Sequence, residues 1–593
     1  ELVRIFGRRN VVFELQDHNL PKQRHINERL YGLADFLSMR AVATNDVHYL
    51  RPEDAICHEF LKRERPPTFL DLTAARNATH GRHLAGCDEM RTRFAKFSKA
   101  YHATGEIAER CGFQPNFDKR RFPVQDFVRG FDADSYLWDE IFKEARKRYV
   151  ELSTEIKDRL NMEFDHIKSE GLSNNILLLW NLATFCRKHR IHMGVGRGNM
   201  ISSLVAFILN ITQINPLDYK LRFLGFDDDH VDHRGRNRNR CLTLEISDAH
   251  SGRLLEFMRQ SFGPDSCSAV GRYVPSPRHM MLSDICNWFN HTLPDPDAVA
   301  DMPRDGHGRL PDIESFFPRR KDGVPLPNPG IIAFMLSRLL PRPKSLGVAD
   351  NQFALSGENL NNLVPRVDVE DETVTQMDAT ALDMLNIPRL MIQSNRLLDI
   401  IDTASVWVRK EENANFDPDN IMLTDNETYD LLCRGLTNGI LPFQSITLKS
   451  LLRMHRPRNF MQLVKIKSME RTPGRDQEAN DVLEHVPECL LTYRCAFIKA
   501  HYPLSFMAAL LTHSFRTWKR YTLAMREAKQ MGLRILPPDI NQSLFEFSQV
   551  HKAIRTGLMV VNGMGKKVYA ELERVRKGGD FHDLVDLCRR TDG

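Results

Sequence analysis

The 593-residue chain contains eleven cysteines, but no two form a Cys-x-x-Cys pair and their spacing follows no framework. That absence excludes a disulfide-knit secreted fold and the common zinc modules, and it suits free thiols in a reducing compartment. Long hydrophobic runs are missing too: the most apolar windows, residues 176–186 and 503–512, are too short or too polar to span a bilayer. No secretory leader opens the chain, so the cytoplasm is the expected location. The first residue is Glu1 rather than Met, and an upstream portion is expected to precede it. Charge of one sign is not in excess, since 82 Lys and Arg face 77 Asp and Glu. The sum therefore leaves nucleic-acid binding to local patches. Internal repeats and low-complexity tracts are absent, which excludes solenoids and disordered linkers as the main architecture.

What is present is an ordinary globular composition, 42% hydrophobic and 27% charged, and a length that predicts about four domains. Residues 1–50 read strand, helix (27–37), strand, a piece of an α/β layer. Residues 138–190 read as long amphipathic helices, 241–246 as a short strand, and 264–343 as an inserted, partly irregular subdomain rich in Pro, Asp and Arg. Farther on, helices are expected over 495–511 and 518–531 and a strand over 534–536. The class is α+β, with several domains.

Three local patterns carry chemistry. Gly194-Val-Gly-Arg-Gly198, ahead of an apolar helix over 202–209, exposes backbone N–H groups and a guanidinium in a way that suits phosphate; plain turn chemistry gives the same pattern. Asp46 and His48, two apart at a strand end, can meet one metal, with His18 nearby in sequence; a structural Asp-His pair is the alternative. Gly563 and Gly565 in Val560-Val-Asn-Gly-Met-Gly-Lys-Lys567 make a tight turn that presents Lys566 and Lys567 to a phosphate without reading bases. The run Asp227-Asp-Asp-His-Val-Asp-His233 resembles a ligand cluster and reads better as a solvated acidic loop.

Several phrases in order resemble one family. Ile5-Phe-Gly-Arg-Arg-Asn10, Phe13-Glu-Leu-Gln16 with His18, and Val42-Ala-Thr-Asn-Asp-Val-His-Tyr49 are similar to the end of the PHP domain of bacterial C-family DNA polymerases, the replicative alpha-subunit group. Glu106-Ile-Ala-Glu-Arg-Cys111, Gly196-Arg-Gly198, Asn215-Pro-Leu217, Lys499-Ala-His-Tyr-Pro503 and Leu536-Pro-Pro-Asp-Ile-Asn541 continue the resemblance along nearly the whole chain. The phrasing near residues 5–18 and 106–111 is closest to the error-prone, translesion branch.

The resemblance implies a partial PHP layer (1–62), a nucleotidyltransferase-type palm (63–271 and 351–400), a thumb-like part (272–350), shortened helical fingers (401–535) and a helix-hairpin-helix region (536–593). It implies DNA, as duplex or primer-template, and dNTP as partners, with a sliding clamp or accessory polymerase factors as further ones, no membrane, and a place at the bacterial nucleoid. Nucleotidyl transfer in the family needs two Mg²⁺ ions on clustered carboxylates. The resemblance places the three aspartates at Cys241, Thr243 and Met391, all neutral here. Glu245 and Asp248 are the remnant carboxylates.

The phosphate cradle retains Gly196, Arg197, Gly198 and Ser203, with Asn199 in place of the family's serine. Arg278 stands where an Arg-rich phrase is expected. After Arg471-Thr-Pro-Gly474 a long fingers segment is missing. The PHP remnant offers Asp46, His48 and His18, a set that upstream residues would complete for Zn²⁺ or Mn²⁺. The expectation is a polymerase homologue that binds DNA with impaired or absent transfer. The alternatives are an active error-prone polymerase with a rebuilt metal site and a PHP-type metal phosphoesterase.

Overall fold

The computed structural model describes residues 1–18, 20, 22–62, 81–112, 114, 122, 132–226, 241–289, 329–340, 342–369, 372–470 and 485–591. The acidic run 227–233 and the phrase 471–474 lie outside them. The chain divides into two units, residues 1–117 with 271–347, and residues 118–270 with 348–593.

In the first unit the expected strand–helix–strand is present. β1 (Phe13–Gln16) and β2 (Ala41–Thr44) run parallel, in register from Phe13↔Ala41 to Gln16↔Thr44, and the helix Gln23–Phe36 connects them. Helix-period and strand-period apolar residues meet in one small core of Leu15, Ala34, Ala41, Ala43, Phe94 and Ala100. A second core joins Ile56 and Cys57 to the helices Arg278–Trp288 and Pro329–Leu339. The partly irregular interval 264–343 thus contributes these two helices among its described residues. Pro329 sits at the first helical position, where its missing N–H costs nothing.

In the second unit, the helices Ala133–Arg148 and Thr154–Ser169 start on side-chain caps, Asp132 accepting from Ser135 N and Ser153 from Ile156 N. Together with Ser173–Lys188 they lead to a six-stranded mixed sheet, in the order β3 (Cys241–Ile246), β8 (Arg389–Ser394), β5 (Pro343–Leu355), β4 (Cys267–Pro275), β7 (Glu372–Thr375), β6 (Arg366–Val369). β3 falls on the residues expected. The main core then gathers the helices Arg396–Glu411, Val486–His501 and Pro503–Ser514 around Tyr429, Phe443, Tyr493 and Phe506, all fully buried.

The single helix expected over 495–511 is two helices. Proline has no N–H to donate, so the first helix stops at His501 and Pro503 opens the second. Buried Lys499 gives its ammonium to Leu436 O (2.8 Å), Asn438 O (2.8 Å) and Glu527 Oε1 (2.6 Å). The unit ends in the small sheet β10 (Ser548–Val550), β11 (Ala553–Arg555), β9 (Arg534–Leu536), then the helices Lys566–Arg576 and Leu584–Arg590. Among the described residues, no helix is long and apolar enough to cross a membrane.

Candidate functional site

β3 and β8 are parallel neighbours, with Cys241↔Arg389, Thr243↔Met391 and Glu245↔Gln393 as register partners. Strand period two sends Leu242, Leu244, Ile246, Leu390 and Ile392 into the core, and places Thr243, Glu245, Met391 and Gln393 on the other, half-buried face. Two of the three positions at which aspartates were expected, Thr243 and Met391, therefore share a register, and they offer a hydroxyl and a thioether beside the Glu245 carboxyl group and the Gln393 amide.

Glu245 is held closely. Its backbone carbonyl accepts from Gly194 N (2.7 Å), and its Oε1 accepts from Asn395 Nδ2 (2.8 Å). A Cβ at Gly194 would lie 2.2 Å from Glu245 Oε2, so only glycine lets the turn approach this closely. Burial pushes the Glu245 carboxyl above its ordinary pKa, a rise that the Asn395 hydrogen bond and the Arg197 charge reduce but do not cancel. Asp248 lies just past the strand, exposed, with its backbone N–H given to Asp399 Oδ1 (2.9 Å).

The Gly-rich turn is laced onto this strand end, since Met193 bridges Ile246. Gly196 has φ +117°, and a Cβ there would meet Ile201 Cγ2 and Thr212 Cγ2 at 2.9 Å. Exposed Arg197 reaches back and donates through its guanidinium to Gln393 Oε1. Gly198 begins a short 3-10 turn that runs to Ser202. Ser203 corrects the expectation of a phosphate ligand. It is fully buried; its hydroxyl donates to Glu163 Oε2 (2.7 Å) and accepts from Ala206 N (3.0 Å), capping the helix Leu204–Ile208.

Glu163, itself fully buried, also accepts from Leu204 N (2.9 Å), Val205 N (3.0 Å) and Arg159 Nε (2.6 Å), and Arg159 holds Ser202 O (2.6 Å). Sequence reasoning missed this clamp. Its trace is an Arg and a Glu four apart on an amphipathic helix, which reads as an ordinary exposed pair.

Among the described residues, one group of three metal-ligand side chains converges within 4.8 Å: His192, Asp417 and Asp419. The group already carries its cations. Arg409 Nη2 lies 3.0 Å from His192 Nε2, and buried Arg494 Nη1 lies 2.9 Å from Asp419 Oδ1. A guanidinium only donates, so Nε2 accepts and Nδ1–H points to Asp419 Oδ2 at 3.3 Å. Burial pushes the Asp419 carboxyl up, but the His192 hydrogen bond and the Arg494 charge outweigh it and hold the group below the usual carboxylate range. The lone pair that a metal would take is engaged by an arginine.

The donor set on the β3–β8 face does not fit a pair of Mg²⁺ ions either. Hard cations need clustered anionic oxygens, and the single carboxyl group present is biased toward its neutral form.

In the first unit the structure brings His18, Asp46 and His48 together as a hydrogen-bonded chain. Asp46 Oδ2 meets His48 Nε2 (3.0 Å) and Arg82 Nε (3.5 Å), and Asp46 N lies 3.4 Å from the Nε2 of buried His18. The Gln23 amide covers His18 Nδ1 (3.2 Å). Burial and nearby Arg82 lower the His18 pKa. A Zn²⁺ or Mn²⁺ ion held by these three would share Asp46 with the Arg82 guanidinium, 3.5 Å from its Oδ2. Arg278 opens a helix of this same unit.

At the C-terminal end, Gly563 (φ +83°), Gly565, Lys566 and Lys567 form one exposed turn at the N-terminus of the helix Lys566–Arg576. No neighbour lies within 4 Å of a Cβ built at either glycine, so the backbone there is open to a ligand. Farther along that helix, Arg574 pairs with Glu571 (2.5 Å), and Arg576 donates to Ser543 O (3.0 Å).

Three family models match in order along the chain: the bacterial DNA polymerase III alpha NTPase domain over residues 135–388, the bacterial DNA polymerase III alpha subunit finger domain over 397–485, and a helix-hairpin-helix motif over 532–593. The DNA polymerase III subunit alpha of Bacillus subtilis is 23% identical over all of this chain and 62% of its own length, and that of Thermus aquaticus is 23% identical over 99% and 62%. The error-prone DNA polymerase of Symbiobacterium thermophilum is 22% identical over 98% of this chain and 65% of its own. The chain belongs to the bacterial C family of DNA polymerases. It spans about six tenths of the length of these curated relatives. The Bacillus alignment runs over 701 positions against a chain of 593 residues, so that relative carries segments without counterpart here.

Proposed function

We propose that the chain is an error-prone-type C-family homologue that holds duplex or primer-template DNA in replication or translesion repair, with nucleotidyl transfer impaired or absent. One observation carries the second half: Thr243 and Met391, facing each other in register where paired carboxylates are needed, leave Glu245 as the lone acid. In this reading the six-stranded sheet is the palm, the helices from Arg396 onward are the fingers, and a sliding clamp or accessory factors are candidate partners. Arg197 and the Gly194–Gly198 turn would still meet a triphosphate, and no metal pair would follow it. The turn at Gly563–Lys567 would clasp a backbone phosphate with N–H groups and two ammonium groups, without base readout.

Primer extension on a gapped duplex with Mg²⁺ or Mn²⁺ tests the reading. The native chain should add no nucleotide, and Glu245→Ala should change nothing. Incorporation by the native chain that disappears in Glu245→Ala overturns it. In that case the palm has rebuilt a metal site and the chain is an active polymerase.

A further inference from the structure

A one-sided charge surrounds the helix Trp518–Gln530. Between residues 513 and 534 the chain exposes Arg516, Lys519, Arg520, Arg526, Lys529 and Arg534, and its single acid, Glu527, is buried against Lys499. None of the six cations forms an ion pair with a described residue. Trp518, Thr522, Arg526 and Lys529 are spaced four, four and three residues apart and so share one helix face, with Lys519 on its flank. That face runs about 16 Å along the axis.

The indole at its head is 78% exposed, although tryptophan is normally among the more buried side chains. Tyr521, with ring centroids 6.2 Å apart, backs it from one side. Arg396 extends the cationic surface, donating to Ser514 Oγ (3.0 Å) at the preceding helix end. A merely solvated helix face carries charges of both signs in i,i+4 pairs; this one carries a single sign and a bare aromatic.

We propose that this ridge binds single-stranded nucleic acid, a base stacking on Trp518 and successive phosphates meeting Lys519, Arg526 and Lys529. An exposed indole face stacks on a base only when that base is free of its own duplex stack, which selects single strands over duplex; the cations supply sequence-independent attraction. The proposal goes beyond the duplex reading, which uses the C-terminal turn.

Titration of the full chain with oligothymidylate and, in parallel, oligouridylate, followed by indole emission, tests it. Quenching is expected, and the stronger of the two oligomers identifies DNA or RNA as the preferred strand. Trp518→Ala should weaken binding about tenfold, while Trp518→Phe keeps most of the affinity and loses part of the quenching. Lys519→Ala with Arg526→Ala should flatten the log–log salt slope by about 1.4. Lys566→Ala with Lys567→Ala should weaken single-strand binding less than the ridge variants do, because a phosphate clasp is not confined to duplex. Wild-type affinity and slope in the ridge variants overturn the proposal. So does loss of single-strand binding in the Lys566/Lys567 variant alone, which would make the hairpin the sole contact and leave the duplex reading standing. Binding of a polyglutamate peptide that needs Arg526 but not Trp518, without quenching by either oligonucleotide, also overturns it, in favour of an acidic protein partner.

Discussion

The β3–β8 face and the C-terminal turn treat their polar groups in opposite ways. On the sheet face and in the turn and helix start laced to it, the functional candidates are turned to neighbours: Glu245 to Asn395, Arg197 to Gln393, Ser203 to Glu163. At the turn, Lys566 and Lys567 stand exposed at a helix N-terminus beside two unobstructed glycines. Groups satisfied inside the protein contribute to stability, and groups left outward are free for a ligand. Substitutions on the sheet side should therefore change stability, and substitutions at the turn should change binding.

The largest expected effect is Glu163→Ala. It strips a fully buried acceptor from Ser203, two backbone N–H groups and Arg159, at a cost of about 3 kcal/mol in denaturant unfolding; a loss under 1 kcal/mol breaks the contrast. Gly194→Ala comes next, about 2 kcal/mol, because its Cβ collides with Glu245 Oε2. Adding Glu245→Ala removes the Oε2 and Cδ contacts but leaves the Cβ of residue 245 at 2.7 Å, so only part of that loss should return, a coupling readable in a double-mutant cycle.

Glu245→Gln should act in the other direction and stabilise the fold at neutral pH, since burial disfavours the charged carboxylate. Because burial raises the folded pKa above the ordinary 4.5, the unfolded chain ionises first. Stability should fall as pH rises from that value through the folded pKa, and the glutamine variant should lack this slope. The smallest stability change belongs to Lys566→Ala with Lys567→Ala, within about 0.5 kcal/mol. Duplex affinity in this variant should nonetheless drop for any base sequence, with a salt slope shallower by about 1.8. Unchanged affinity removes the turn from the nucleic-acid reading.

Much of this was legible from residues alone. β3 fell where alternation placed it, because Leu242, Leu244 and Ile246 fill a core while Thr243 and Glu245 do not. The glycines of the 194–198 turn read as a phosphate-facing or plain turn; the close approach of Gly194 to Glu245, 51 positions farther on, needed the fold. Asn395, Gln393 and the Asp419–Arg494 pair left no pattern, since their partners come from distant parts of the chain and no spacing rule connects them. Ser203 was misassigned because a capping hydroxyl and a phosphate-binding hydroxyl occupy the same place at a helix start. The broken helix at Pro503 was misread because the apolar run continues through it.

Lys499 draws the consequence furthest. Its phrase, Lys-Ala-His-Tyr-Pro, is among those by which the family is recognised, yet the ammonium is sealed away from solvent and fastens the carbonyls of residues 436 and 438 to Glu527. Such a residue would survive in a lineage that had abandoned catalysis altogether, because losing it unmoors a loop whatever the protein does. A signature of this kind certifies ancestry and architecture, and says nothing about turnover.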